Sequence, residues 1–230
     1  IAMGFLGFTV YNIALNKGQT HTSAGVASFI VNTAPVFMVI FATLFLRERL
    51  RPFGWLGIAV SFCGVALLAL AKDAQHGLKL NPGAALILLA AVAAGCYTIL
   101  QKQYSHRYRP LVLVSCCIWA GTVFMLPFFG GLASEMQRAP LSTTLIVVYM
   151  GLFPTAIAYA IWAHVLSKIP ASRAASFIYL VPVVATTMSH FWLGEVLAPR
   201  ALLGGVLALL GVVVVNTLGR VKTKLSTETL

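Results

Sequence analysis

Ala175-Ser176-Phe177-Ile178-Tyr179-Leu180-Val181-Pro182 echoes an earlier stretch of the same chain, in which Ala27-Ser28-Phe29-Ile30 is followed by Pro35. The tetrapeptide recurs at an offset of 148, as does Tyr11, which returns as Tyr159. Beyond it the offset is 147, pairing Pro35 with Pro182, Glu48 with Glu195, Pro52 with Pro199, Gly57 with Gly204 and Gly64 with Gly211. Helix-shaping and charged residues repeated at a constant spacing mark a duplicated unit. The one-residue change of offset falls between Ile30 and Pro35, which predicts an irregular helical turn there in one copy.

The residues around the repeat are those of a membrane protein. Of 230 residues 60% are apolar and 9% charged, far below the quarter or so that is charged in soluble domains. An excess of sixteen Lys and Arg over five Asp and Glu suggests nucleic acid in a soluble chain. Here the basic residues fall between apolar stretches, without interleaved aromatics, so no nucleic-acid partner is expected and membrane orientation explains the charge. Cys63, Cys96, Cys116 and Cys117 lie in apolar runs with no CxxC spacing, which reads as helix packing rather than a zinc site or disulfide framework.

About 20 apolar residues make one helical crossing. That ruler predicts eight spans, at 1–15, 23–46, 52–71, 82–100, 111–129, 143–166, 172–193 and 201–218, separated by breaks that combine charge with Pro, Gly or Asn. Runs of this length without two-residue alternation are helices, not barrel strands. One side of the membrane receives Arg47, Arg49, Arg51, Lys102, Arg107, Arg109, Lys168, Arg173, Arg220, Lys222 and Lys224; the other receives Lys17, Lys72, Lys79, Arg138 and Arg200. The richer side is cytoplasmic by the positive-inside rule, and it holds the C-terminus.

Pro35 and Pro182 lie on the second and seventh predicted spans. An odd difference means opposite directions, so the two units are inverted repeats, an architecture of secondary transporters whose substrate site lies between the halves. Ile1 aligns with position 149, whereas the second unit starts near Pro82. About 67 residues, room for two spans, are therefore expected ahead of Ile1. The expected architecture is an all-α membrane protein of ten helices in inverted five-helix repeats, eight of them in this chain. Residues 1–71 are the last three helices of the first unit, 72–81 a linker, 82–219 the second unit and 220–230 a cytoplasmic tail.

Residues 22–64, with ASFI, the mid-helix Pro35, FLRERL from Phe45, then Pro52, Gly57 and Gly64, resemble the end of an EamA domain of the drug/metabolite transporter superfamily. Residues 156–211, with AIAYAIWAHVLSKIPASRAASFIYLVPV, FWLGE, Pro199, Gly204 and Gly211, are similar to the second EamA domain. The resemblance implies ten helices with both ends cytoplasmic, and transport of amino acids or other small metabolites, often outward. It leaves this chain without the first helix pair.

Pro35, Pro154 and Pro182 sit mid-span, where each removes a backbone hydrogen bond and frees the carbonyl four residues earlier, so they are candidate gating kinks. Around them Tyr11, Asn12, Asn32, Tyr97, Tyr159, Trp162 and Tyr179 are candidate substrate contacts, since aromatic walls with a few polar tips suit amphipathic metabolites. For each aromatic taken singly, lipid contact or helix packing is the competing reading. His164 and His190 are the titratable intramembrane groups with pKa near neutrality and so the candidates for proton coupling. Glu48 and Glu195 close their spans where a carboxylate can meet helix-starting amides. Gly57, Ser61 and Gly64, matched by Gly204, Ala208 and Gly211, form a small-residue stripe suited to an interface between the last helices of the two units.

No nucleophile with a base, paired carboxylates or metal ligands at helical spacing are present in the sequence, so neither an enzyme, a cofactor nor a metal site is expected. The reading is a plasma- or inner-membrane secondary carrier of small metabolites such as amino acids, working by alternating access in the outward direction, with room for a homodimer. A nucleotide-sugar or other organic-solute carrier of the same fold, or a non-transporting membrane structural protein, are the alternatives.

Overall fold

The computed structural model describes residues 1–22, 24–72, 82–105, 107–193 and 199–219. Glu195, most of the expected linker and the expected tail lie outside the described residues. All described elements are helical. The longer described helices form eight segments: α1 over residues 2–19, α2 over 24–45, α3 (Pro52–Lys72), α4 (Pro82–Tyr104), α5 (Pro110–Phe129), α6 (Leu141–Lys168), α7 over 171–193 and α8 (Pro199–Thr217). A short helix, Leu132–Arg138, precedes α6. Helices α3, α4, α5 and α8 each open on a proline, whose missing N–H costs nothing in a first turn.

Among the described residues, five helices are long and apolar enough to cross a bilayer: Val26–Phe45, α4, α5, α6 and Ala171–Trp192. The apolar parts of α3 and α8, Pro52–Leu67 and Leu202–Thr217, are shorter. Large apolar side chains face outward, with Trp119 72% and Phe191 80% exposed. In water such a surface drives association, whereas against lipid tails it is the solvated face. Small residues do much of the internal packing, among them Ala42, Ala90, Ala91, Ala174, Ala175 and Ala208.

The expected small-residue interface is present. α3 packs extensively on α8. A methyl group built on Gly57 would meet the Gly211 carbonyl at 2.8 Å, and one on Gly64 the Gly204 carbonyl at 2.6 Å. The Ser61 hydroxyl, fully buried, donates to the Ala208 carbonyl at 3.1 Å. Residue numbers rise on α3 as they fall on α8, so the two run antiparallel. Direct backbone approach is what replaces a hydrophobic driving force between helices in lipid.

α2 and α7 also run antiparallel. Met38 and Val39 share a buried cluster with Ala175 and Tyr179, Ala42 shares another with Ala171 and Ala174, and Glu48 bonds the start of α7. Each of these helices is interrupted just before its proline. α2 breaks at Asn32-Thr33, between Ala24–Val31 and Ala34–Phe45. α7 breaks at Tyr179, between Ala171–Ile178 and Leu180–Leu193. Two turn residues stand in the first copy and one in the second, so the change of offset corresponds to one extra turn residue, while the irregular turn is in both copies rather than in the one expected.

α1 and α6 share a second irregularity. Each contains a π-helical segment, Phe5–Val10 in α1 and Gly151–Ile157 in α6, ending just before Tyr11 and Tyr159. Pro154 lies inside the second, where the bonds run to the carbonyl five residues back and the missing N–H is tolerated. The Thr155 hydroxyl adds a bond to the Met150 carbonyl at 3.0 Å. In the first, the Asn12 amide donates to the Phe8 carbonyl at 2.7 Å. Side chains thus add donors to carbonyls of the wide turns.

Candidate functional site

α1 organises the site. Phe8, Asn12, Leu15 and Gln19 recur at spacings of four, three and four, which places them on one face of the helix. At its upper end Leu15 and Gln19 join Thr22, Ser28, Val31 and Asn32 around a cavity of about 430 Å³. Asn32 stands at the α2 break, its amide donating to the Ser28 carbonyl at 2.7 Å. Val31, four residues before Pro35, also lines the cavity.

About 10 Å further along the same face, by the rise of a helix, Phe8 meets two of the expected tyrosines. Its ring lies 5.8 Å from Tyr97 of α4, edge to face, and 5.1 Å from Tyr159 of α6. Tyr97 and Tyr159 are themselves 6.5 Å apart. Tyr97 is 4% exposed and receives a hydrogen bond from the Gln101 amide at 3.1 Å. Aromatic rings at these separations gain from edge-to-face electrostatics and close the space between three helices.

One end of the bundle is fastened by opposite charges. The Lys102 ammonium donates to the carbonyls of Leu166 and Ile169 at 2.8 and 2.9 Å, at the end of α6. Glu48 accepts from the Ala171 and Ser172 amides at 2.7 and 2.9 Å and from the Ser172 hydroxyl at 2.6 Å, at the start of α7. Cations suit helix C-termini and carboxylates suit N-termini. The turn through Ile169 and Pro170 is therefore held from both sides. Arg47 takes a left-handed φ of 53°, strained for a residue with a side chain, and the Glu48 amide turns back to the Ala42 carbonyl at 3.2 Å. Glu48 thus meets helix-starting amides as expected, but those of α7 rather than those that follow Pro52.

The expected residues divide among these regions. Tyr97 and Tyr159 come together with Phe8, Asn32 lines the cavity, and Tyr11 and Asn12 are half-buried past the π segment of α1. Trp162 packs between the α2–α7 cluster and the cluster around Leu166. Tyr179 is fully buried among Met38, Val39, Ile58 and Val212, and its hydroxyl has no partner among the described residues. Pro35 is buried, Pro182 half-buried and Pro154 exposed. His164 is exposed on α6, and His190 is exposed on α7 with its ring 5.3 Å from Phe191. Cys117 packs with Tyr97, and all four cysteines are free thiols. Phe8, Gln101, Lys102, Leu15 and Gln19 are additions from the structure. Gln101 alone carried a sequence signal, a polar residue one turn from Tyr97 on the same face.

Residues 1–70 and 81–217 match the EamA-like transporter family. The chain belongs to that family. This EamA-like chain is 42% identical over 211 residues to "Uncharacterized transporter YdfC" of Bacillus subtilis, covering 91% of the chain and 68% of the relative. It is 38% identical over 219 residues to the "Probable terminal-alkyne amino-acid exporter" of Streptantibioticus cattleyicolor, covering 94% and 73%. It is 29% identical over 222 residues to the "Probable amino-acid metabolite efflux pump" of Escherichia coli, covering 92% and 72%. A solved crystal structure superposes with a TM-score of 0.78 at 19% identity, over 94% of the chain and 77% of that structure, a likeness of fold. The EamA-like chain is a multi-pass membrane protein and a transporter of small metabolites.

Proposed function

We propose that this EamA-like protein is a secondary carrier of amino acids or related metabolites in the cell membrane, exporting them by alternating access between two inverted five-helix units. Residues 1–71 and 82–219 belong to the two units, and all eight helices cross the membrane. The observation that carries this reading is the antiparallel pair α2 and α7, each broken just before its matched proline. The matched π segments of α1 and α6 and the antiparallel pair α3 and α8 support it further. Inverted units with interrupted helices let one conformation open to each side in turn.

The two ends of the bundle support a direction for the conformation described. The basic residues place the Glu48–Lys102 end in the cytoplasm, and there the α6–α7 turn is fastened to α2 and α4. The cavity lies toward the opposite end, so this conformation faces outward. Two relatives carry amino-acid export in their names, which supports the substrate class and the direction.

Proteoliposomes holding the purified protein test the reading by counterflow of radiolabelled L-amino acids. Saturable exchange that falls at least tenfold in Tyr159→Ala and Asn32→Ala is expected. Exchange of nucleotide sugars instead would reassign the substrate, and unsaturable flux would indicate a pore. Comparing metabolites inside and outside cells with and without the protein gives the direction; accumulation inside the expressing cells would reverse it.

A further inference from the structure

Gln101 is 1% exposed and lies in α4 between the aromatic cluster and Lys102. Its amide nitrogen donates to the Tyr97 hydroxyl, while its carbonyl oxygen, Oε1, is buried without a partner among the described residues. An unpaired buried carbonyl costs about 1–3 kcal/mol, and native structures rarely leave one unexplained. Nothing in the packing of α4 requires a glutamine there: a methionine fills a similar volume without that cost.

The surroundings of Oε1 select the charge of a ligand. Phe8, Tyr97 and Tyr159 bring three rings from three helices together, and the faces of aromatic rings attract cations. An anion would meet the carbonyl lone pairs of Oε1 as repulsion. The Lys102 ammonium, which could offset that repulsion, is committed to the Leu166 and Ile169 carbonyls. Glu48, at the same end of the bundle, is committed to Ala171 and Ser172. A carbonyl acceptor one helical turn from an aromatic cluster, with neighbouring charges already engaged, fits a protonated amine.

We propose that Gln101 Oε1, with the rings of Tyr97 and Tyr159, is the subsite that takes the ammonium group of the transported solute. This deepens the carrier reading and rests on it. The route is the α1 face that runs from Leu15 and Gln19 in the cavity down to Phe8, and the solute enters by parting Phe8 from Tyr159. An analogue without the ammonium leaves Oε1 unpaired, as it is in the empty protein, and gains nothing at this position.

Thermal stability of the purified protein with added phenethylammonium or 3-phenylpropionate tests the subsite without knowledge of the natural substrate. The two probes share a ring and differ in the charged group. Stabilisation by the ammonium alone is expected, with the half-effective concentration raised at least tenfold in Gln101→Met, retained or lowered in Gln101→Glu, and little changed in Tyr97→Phe, which keeps the ring and Oε1. An equal response in wild type and Gln101→Met, or stabilisation by the carboxylate alone, overturns the proposal. So does the absence of any ammonium response in the wild type. Should Gln101→Met fail to fold, a weaker ammonium response in Gln101→Glu than in wild type overturns it. Amino-acid counterflow, measured in parallel, separates the two readings. A Gln101-dependent ammonium response without amino-acid exchange removes the amino-acid reading and keeps the subsite; exchange without that dependence does the reverse.

Discussion

The Glu48 carboxylate lies 2.9 Å from the backbone nitrogen of Ser172, a residue 124 positions further along the chain. One carboxylate thereby ties the end of α2 to the first turn of α7. Together with Lys102 it holds a helix–helix turn whose own amides and carbonyls have no intrahelical partners.

Removal of that carboxylate should loosen this end. Glu48→Ala is expected to lower stability by about 1–3 kcal/mol, the cost of stranding helix-end amides. Glu48→Gln, which keeps an acceptor and loses the charge, should cost less, about 0.3–1 kcal/mol. Thermal unfolding of the detergent-purified variants reads both. A Glu48→Ala midpoint equal to wild type would show that the cap contributes nothing.

The α3–α8 seam predicts a sharp contrast between two glycines. A side-chain carbon on Gly64 would meet backbone atoms of Gly204 and Ala208, which cannot swing aside as a side chain can. Gly64→Ala should therefore cost about 1–3 kcal/mol or more by overpacking. At Gly205 the nearest atom is a Val183 methyl at 3.8 Å, so Gly205→Ala should be neutral or stabilising by about 0.5–1 kcal/mol. Equal thermal midpoints for the two would mean that the seam is looser than described.

In the π segment of α6 the Thr155 hydroxyl adds a hydrogen bond to the Met150 carbonyl. Thr155→Val, nearly the same shape, should cost about 1 kcal/mol, and Thr155→Ser should retain most of that. A Thr155→Val midpoint equal to wild type would show that the hydroxyl contributes nothing there.

α1 carries α4 and α5 on its flank, and a methyl group on Gly4 would meet the Cys117 carbonyl at 2.5 Å. Gly151, its counterpart on α6 at an offset of 147, has nothing within 4 Å. Gly151→Leu should therefore leave stability within about 0.5 kcal/mol. A loss of more than 1 kcal/mol would mean that another helix or a second copy covers that face of α6, which crosslinking through Gly151→Cys would reveal.

The proline and glycine pattern was readable in the sequence because those residues act on their own backbone. Pro52, Pro82, Pro110 and Pro199 open helices wherever they fall after a break, and Pro35 and Pro182 interrupt theirs. The offset change between Ile30 and Pro35 carried the extra turn residue at Asn32-Thr33 in the same local way. The π segment of α1 carried no such mark: Phe5–Val10 lacks a proline, and its wide turn is recognised only from hydrogen bonds.

Composition alone determined that this is a helical membrane protein, and the repeated residues raised the expectation of duplicated units, since both depend on counting and spacing along the chain. Only the tertiary structure decided which partner each long-range group has. Glu48 found the amides of Ala171 and Ser172 instead of the nearer ones after Pro52, Tyr179 entered packing, and Gln101 came to donate to the Tyr97 hydroxyl with its carbonyl oxygen buried and without a partner among the described residues. Burial and pairing are properties of neighbours in space, and those neighbours sit on helices that the chain reaches only after crossing the bundle.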